Sequence, residues 1–195
     1  GFWPSLSMAL KASQNWLAGL YTSLLNLPIM LLCALWGNLY LERIHHVSDM
    51  QASDIVSMIF LGTIIGGPIV GAWSDRIRLR KLPMIIGAAL SLFTIIGLLY
   101  TPNLSPTVLV IVFFLLGFFT SSQVLAYPVI AESNNRIITS TATALASVII
   151  MGGAALMQPI FGFIMDHYWE GLIQDGAYFY PDIAFKQAML IFPIA

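Results

Sequence analysis

Five runs of mostly apolar residues dominate this sequence, over about 16–40, 52–73, 82–100, 107–130 and 141–165. A helix needs about 20 such residues to cross the ~30 Å hydrocarbon core of a bilayer. In lipid a backbone polar group has no water to bond, so each run must satisfy its own N–H and C=O groups as a helix. That requirement makes the chain an all-α integral membrane protein. Only 9% of its 195 residues are charged and 58% are hydrophobic, against about 25% charged in a typical soluble domain. A sixth run starts near Ile183 and reaches Ala195, too short to cross. The sequence therefore reads as cut inside a sixth span. Its start has no initiator Met, basic leader region or small-residue cleavage site, and reads as the interior of a longer chain.

The breaks between runs are short. "RIHHVSDMQ", "SDRIRLRK", "TPNLSP" and "AESNNRIITS" hold most of the charge and turn chemistry. The last connection, about 166–182, is rich in the aromatics that favour a membrane interface. One side of the membrane receives Lys11, Arg76, Arg78, Arg80, Lys81 and Arg136, and the other only Arg43 and Lys186. This imbalance places the start of the chain in the cytoplasm. Asp166, Glu170, Asp175 and Asp182 then lie outside. No basic surface remains for nucleic acid. Cys33 is the single cysteine, which excludes an internal disulfide. His45 and His46 sit on an outer loop and read as solvated rather than metal-binding. No cofactor motif is present.

One spelling occurs twice. "PIVGAWSD" starts at Pro68 and "PIFGFIMD" at Pro159, an offset of 91 residues. The first copy closes the second span on the inside; the second closes the fifth span on the outside. The same helix end on opposite faces marks an inverted repeat. The expected fold is a six-helix bundle of two inverted three-helix repeats, about 1–101 and 102–195. "LWG" closing the first span and "AYP" closing the fourth echo the same relation. Pro68 and Pro159 each remove a backbone N–H and can bend their helices. Gly62/Gly66 and Gly67/Gly71, with Gly162, predict small faces for tight helix packing.

The run "GAWSDRIRLRK" resembles the loop signature of the major facilitator superfamily at Gly71, Asp75, Arg76, Arg80 and Lys81. Arg78 stands where that family usually has glycine. A loosened copy with six spans resembles helices seven to twelve, the carboxy-terminal half of a transporter. The resemblance implies a cytoplasmic gate in which Asp75 meets a helix of the amino-terminal half while Arg80 and Lys81 hold Asp75 or opposing acids. It also implies that the first helix of each repeat lines a central cavity and the third braces from outside.

Polar residues within the spans supply candidates for that cavity. Gln123 and Tyr127 share a face of the fourth span, beside Thr120, Ser121 and Ser122. An amide in hydrocarbon is costly unless it meets water, a solute or another helix. Thr22, Asn26 and Tyr40 lie along the first span, and Ser147, Met151 and Gln158 along the fifth. Asn26, Gln123, Tyr127, Ser147 and Gln158 are the selected cavity residues. No charged residue occupies mid-span; Glu42, Asp54 and Glu132 sit near ends, where loop contacts or capping are expected. The expected function is secondary transport of a small polar or amphipathic solute by alternating access in a bacterial inner membrane. The expected partners are the amino-terminal half, the bilayer and a coupling proton or ion. The alternatives are an organic-anion symporter anchored by charges elsewhere and a non-transporting receptor. An enzyme fits least, since no His–acid, Asp–Asp or Ser–Lys arrangement lies inside the spans.

Overall fold

A computed structural model describes residues 2–101, 103–174 and 177–195; Asp175 lies outside the described residues. The described chain is helical apart from a two-strand hairpin, Ile173–Gln174 with Ala177–Tyr178. Five helical stretches are long and apolar enough to cross a membrane: Ser13–His45, Asp49–Ile77, Lys81–Tyr100, Pro106–Ser133 and Thr139–His167. They match the five runs of the sequence.

The second, third and fifth spans are single helices: α4 (Asp49–Ile77), α5 (Lys81–Tyr100) and α8 (Thr139–His167). Neither Pro68 nor Pro159 interrupts its helix. Local chemistry sets the starts. Ser48 opens α4 in a capping box, its hydroxyl accepting from Gln51 N–H while Gln51 Oε1 accepts from Ser48 N–H at 3.2 Å. Ser105 accepts from Val108 N–H, and Pro106 occupies the first turn of the fourth span. A short α1 (Phe2–Lys11) precedes the bundle, and α9 (Asp182–Met189) and α10 (Ile191–Ile194) follow it.

The first and fourth spans are irregular. In the first, α2 (Ser13–Leu25) leads past Pro28 into a π-helical segment, Ile29–Trp36, before α3 (Gly37–His45). In the fourth, α6 (Pro106–Thr120) tightens into a 3-10 segment, Ser121–Leu125, before α7 (Ala126–Ser133). Shifted by the 91-residue offset, the first irregular segment covers the second. "LWG" and "AYP" fall in register at the same offset, with Trp36 opposite Tyr127.

Packing follows that relation. The most extensive helix contact is α4 on α6, and the next is α2 on α8. Exchanging the first span for the fourth and the second for the fifth turns one contact into the other. Single residues obey the exchange too. A side-chain carbon at Gly62 would collide with the Phe114 carbonyl, and one at Gly153 with the Ser23 hydroxyl. Both members of that pair are displaced by 91. Gly66 abuts Ser121 and Phe118, and Gly117 abuts the Ile59 carbonyl. The expected second small face packs on no other helix of the described chain: nothing outside their own stretch of helix lies within 4 Å of that position at Gly67 or Gly71. Gly162 is in ordinary contact with the Trp36 ring at 3.9 Å. Close approach thus belongs to the face of α4 turned toward α6, and Gly67 and Gly71 lie off it.

The core gathers Leu31, Leu32, Ile55, Ile59, Phe113 and Phe161, with Ile95 and Leu98 from the third span and Phe185 from α9. Span three exposes Leu90, Leu92, Phe93 and Ile96, the composition of a brace against lipid. Two polar expectations are corrected. Tyr40 belongs to the core, its hydroxyl 3.4 Å from the Leu98 carbonyl. His45 is buried, not solvated: its Nδ1 accepts from Leu104 N–H at 3.3 Å. Nε2 therefore carries the proton and donates to the Tyr40 hydroxyl at 3.4 Å. His46, left-handed at φ 55°, only ends the helix.

Glycine spacing should control stability at named places. Gly62→Ala and Gly117→Ala are each expected to cost about 1–3 kcal/mol through overpacking. Gly97→Ala, where space is open, should stay within about 1 kcal/mol of the parent. Thermal unfolding in detergent measures this; equal effects at all three sites would refute the packing account.

Candidate functional site

Successive spans run antiparallel, so the starts of the odd spans and the ends of the even ones share one end of the bundle. That end carries the basic loop. The chain leaves α4 and turns through Arg78, at φ 56° and ψ 29°. This left-handed conformation costs a non-glycine residue roughly 1–2 kcal/mol. The turn thus survives the missing family glycine. It is held by the Ser74 hydroxyl, which donates to the Leu79 carbonyl at 3.0 Å.

The turn delivers Arg80 to two carboxylates. Its Nη1 donates to Asp75 at the end of α4 and to Ser74 Oγ at 3.1 Å. Its Nε and Nη2 donate to Glu132 Oε1 at the end of the fourth span, at 3.0 and 2.7 Å. Glu132 and then Asp75 push the guanidinium pKa further above its ordinary value, so Arg80 stays charged throughout. Its side chain is 24% exposed, while Asp75 and Glu132 are 67% and 55% exposed. Ion pairs this open to water contribute about 0.2–1 kcal/mol each. Of the five motif residues the structure joins Asp75 and Arg80. Gly71 lies in open space, and the Arg76 and Lys81 side chains have no partner among the described residues. Glu132 makes the loop contact expected of an acid near a span end.

A second strap lies at the same end. Asn134 Nδ2 donates to Asn15 Oδ1 at 2.6 Å, and Asn15 Nδ2 donates to the Ala9 carbonyl at 2.9 Å. It joins the start of the first span to the end of the fourth. In the sequence Asn134 reads only as turn chemistry, and nothing there singles out Asn15. At the opposite end Asp166, equivalent to Asp75 by the offset, accepts from the Tyr180 hydroxyl at 2.7 Å. Burial, then the Asp166 carboxylate, pushes the Tyr180 phenol up to about 12. The Asp166 copy of the repeat uses a neutral phenol where the Asp75 copy uses a guanidinium.

Between the two ends runs a polar seam. Thr22 donates to the Gln123 carbonyl at 3.1 Å, tying the first span to the fourth. The Tyr21 hydroxyl lies 2.8 Å from the Met84 carbonyl and 2.9 Å from Ser122 Oγ, adding the third span. Thr120, Ser121 and Ser122 are spent within their own helix. They donate to the carbonyls of Leu116, Phe118 and Phe119 at 2.7, 2.6 and 3.0 Å. Such back-bonding bends helices and accompanies the 3-10 segment.

Asn26 and Gln123 differ from these hydroxyls. Both are buried, and neither side-chain amide has a hydrogen-bond partner among the described residues. Asn26 is one turn beyond Thr22, the residue that touches Gln123. Tyr127 is 37% exposed on the same span as Gln123. Ser147 donates to the Thr143 carbonyl at 3.1 Å, and Gln158 is half-buried. A separate cavity of about 300 Å³ lies among the first span, the third and α10, lined by Tyr21, Pro28, Ser91 and Phe192. None of the five selected residues lines it.

Comparison with known proteins agrees with this architecture. A family model described as Major Facilitator Superfamily matches residues 16–179. Membrane sensor protein UhpC of Escherichia coli (strain K12) is 30% identical over 140 residues, 70% of this chain and 32% of that protein. The aligned segment thus spans about a third of that relative's length.

Two outcomes test the basic end. Arg78→Gly should raise stability in thermal unfolding by about 1 kcal/mol, since glycine adopts a positive φ freely; a loss would mean the Arg78 side chain outweighs its backbone cost. A double-mutant cycle of Arg80→Gln and Glu132→Gln should return a coupling of about 0.5–1 kcal/mol. Strict additivity would show that the contact carries no energy.

Proposed function

The chain belongs to the Major Facilitator Superfamily, and on that premise we propose that it forms one of two rocking bundles of a secondary active transporter. Its solute is small and polar or amphipathic, and the membrane a bacterial inner membrane. The chain divides into two inverted three-helix units near residue 101, and the amino-terminal half of the same transporter supplies the opposing bundle. The coupling proton or ion binds in that opposing bundle, because no mid-span acid or base occurs here.

The observation that carries this reading is the pair of unpartnered amides, Asn26 and Gln123, beside the irregular parts of the first and fourth spans. Neither amide is sealed: the buried side-chain polar atom without a partner among the described residues is Trp36 Nε1. Both amides therefore stay open to a solute reaching the seam. Irregular segments in membrane helices recur where backbone groups face a ligand. Tyr127, Ser147 and Gln158 complete the cavity wall.

Asp75, Arg80 and Glu132 form the gate on the cytoplasmic side, with Gly71 and Arg76 presented to the opposing bundle and Lys81 next to Arg80 at the start of α5. A latch that is made and broken in each cycle must be weak, and exposed ion pairs are.

A second reading is a receptor that binds the solute without moving it. The name of the relative from Escherichia coli, a membrane sensor protein, favours it. Counterflow of labelled solutes through the complete protein in liposomes separates the two. The transport reading expects exchange that falls at least tenfold in Gln123→Ala and Asn26→Ala, with unfolding temperature retained. Saturable binding with no exchange would overturn transport and leave the receptor.

A further inference from the structure

Beside the gate lies a pocket that shares Arg80, Lys81 and Glu132 with it. It encloses about 400 Å³ at the basic end, between Gln14 of the first span, Arg78, Arg80 and Lys81 of the loop, and Glu132 and Ser133 of α7. Three cations and one carboxylate therefore line it. Arg80 is already engaged by Asp75 and Glu132. Arg78 and Lys81 are exposed, and neither side chain has a partner among the described residues. Their charge is uncompensated among the described residues.

The pocket also borders the start of α5. No side chain caps that helix, and its first turn holds no acidic residue. The first-turn N–H groups and the positive end of the helix dipole add to the same field. One ligand group answers all of these at once: a tetrahedral anion, with several acceptor oxygens for two cations and a helix end. The surroundings narrow its source. The 20-residue apolar α5 begins here, so the pocket sits at headgroup depth. Leu79 and Leu82, 53% and 44% exposed, offer apolar surface next to it. Basic pockets between spans at this depth attract anionic headgroups at roughly 1 kcal/mol per cation.

We propose that this pocket binds a phosphate group, supplied by the phosphodiester headgroup of an anionic membrane lipid. The phosphate sits against Arg78 and Lys81, within reach of the gate residue Arg80.

The test uses the complete protein in an uncharged detergent, titrated with dioctanoyl phosphatidylglycerol and read by native mass spectrometry. Saturable binding is expected, weakened roughly tenfold in Arg78→Gln/Lys81→Gln. Arg76→Gln, in the same basic run but outside the pocket, should bind as the parent does. Dioctanoyl phosphatidylcholine should bind at least tenfold more weakly than the anionic lipid. Inorganic phosphate that binds alone and displaces the lipid, with the same loss in the double variant, would uphold the phosphate site but overturn the lipid source. No saturable binding, binding unchanged in the double variant, or an equal loss in Arg76→Gln would overturn the site. Circular dichroism and unfolding temperature confirm that the variants fold.

Discussion

A peptide group in hydrocarbon has no water to accept from or donate to, so every departure from regular helix must find its partners inside the protein. This constraint explains where the irregular segments lie. They occupy the first and fourth spans, which are half enclosed by the other helices, whereas the third and fifth spans are unbroken and far more exposed. Where the fourth span tightens, hydroxyls of Thr120, Ser121 and Ser122 take up its carbonyls, and Thr22 reaches across for that of Gln123. In the fourth span hydroxyl and irregular backbone come as a set. Among the described residues the buried polar atom that remains after that accounting is Trp36 Nε1, while the unpartnered amides of Asn26 and Gln123 stay open at the seam.

The repeated octet proves to be the visible part of a relation running through the packing. Span exchange maps α4 on α6 onto α2 on α8, and the same offset relates Gly62–Phe114 to Gly153–Ser23. Two copies of one architecture then meet different chemistry at their ends. The Asp75 copy is tied by a permanently charged guanidinium in an open network. The Asp166 copy is tied by a buried phenol packed against Trp36. Both anchor an equivalent helix end, and only the first runs on into a basic loop.

The spans were legible because membrane thickness converts directly into run length, and the structure places all five within a few residues of the sequence reading. The repeat was legible because four fixed residues survived at both copies. Side-chain partnerships were much less so. Glu132 was recognisable only as an acid near a helix end; nothing in sequence spacing says that Arg80, 52 residues away, folds onto it. His45 looked solvated because loop position says little about burial, while the Leu104 N–H that it serves belongs to a different loop. For the second glycine pair, spacing gives a face but not what stands opposite it, and no helix of the described chain does. Thr120, Ser121 and Ser122 read as cavity polarity, yet a hydroxyl in a helix can always turn back on its own carbonyls.

The paired glycine contacts are alike in position but not in compliance. Gly62 meets a carbonyl fixed in the backbone of α6, and Gly117 returns the contact against the backbone of α4. Neither neighbour can move without its helix. Gly153 meets a serine hydroxyl, which one bond rotation swings aside. The bundle is therefore stiff along one diagonal and forgiving along the other. Any rearrangement within it would carry α4 and α6 as a welded pair and spend its displacement as slip between α2 and α8.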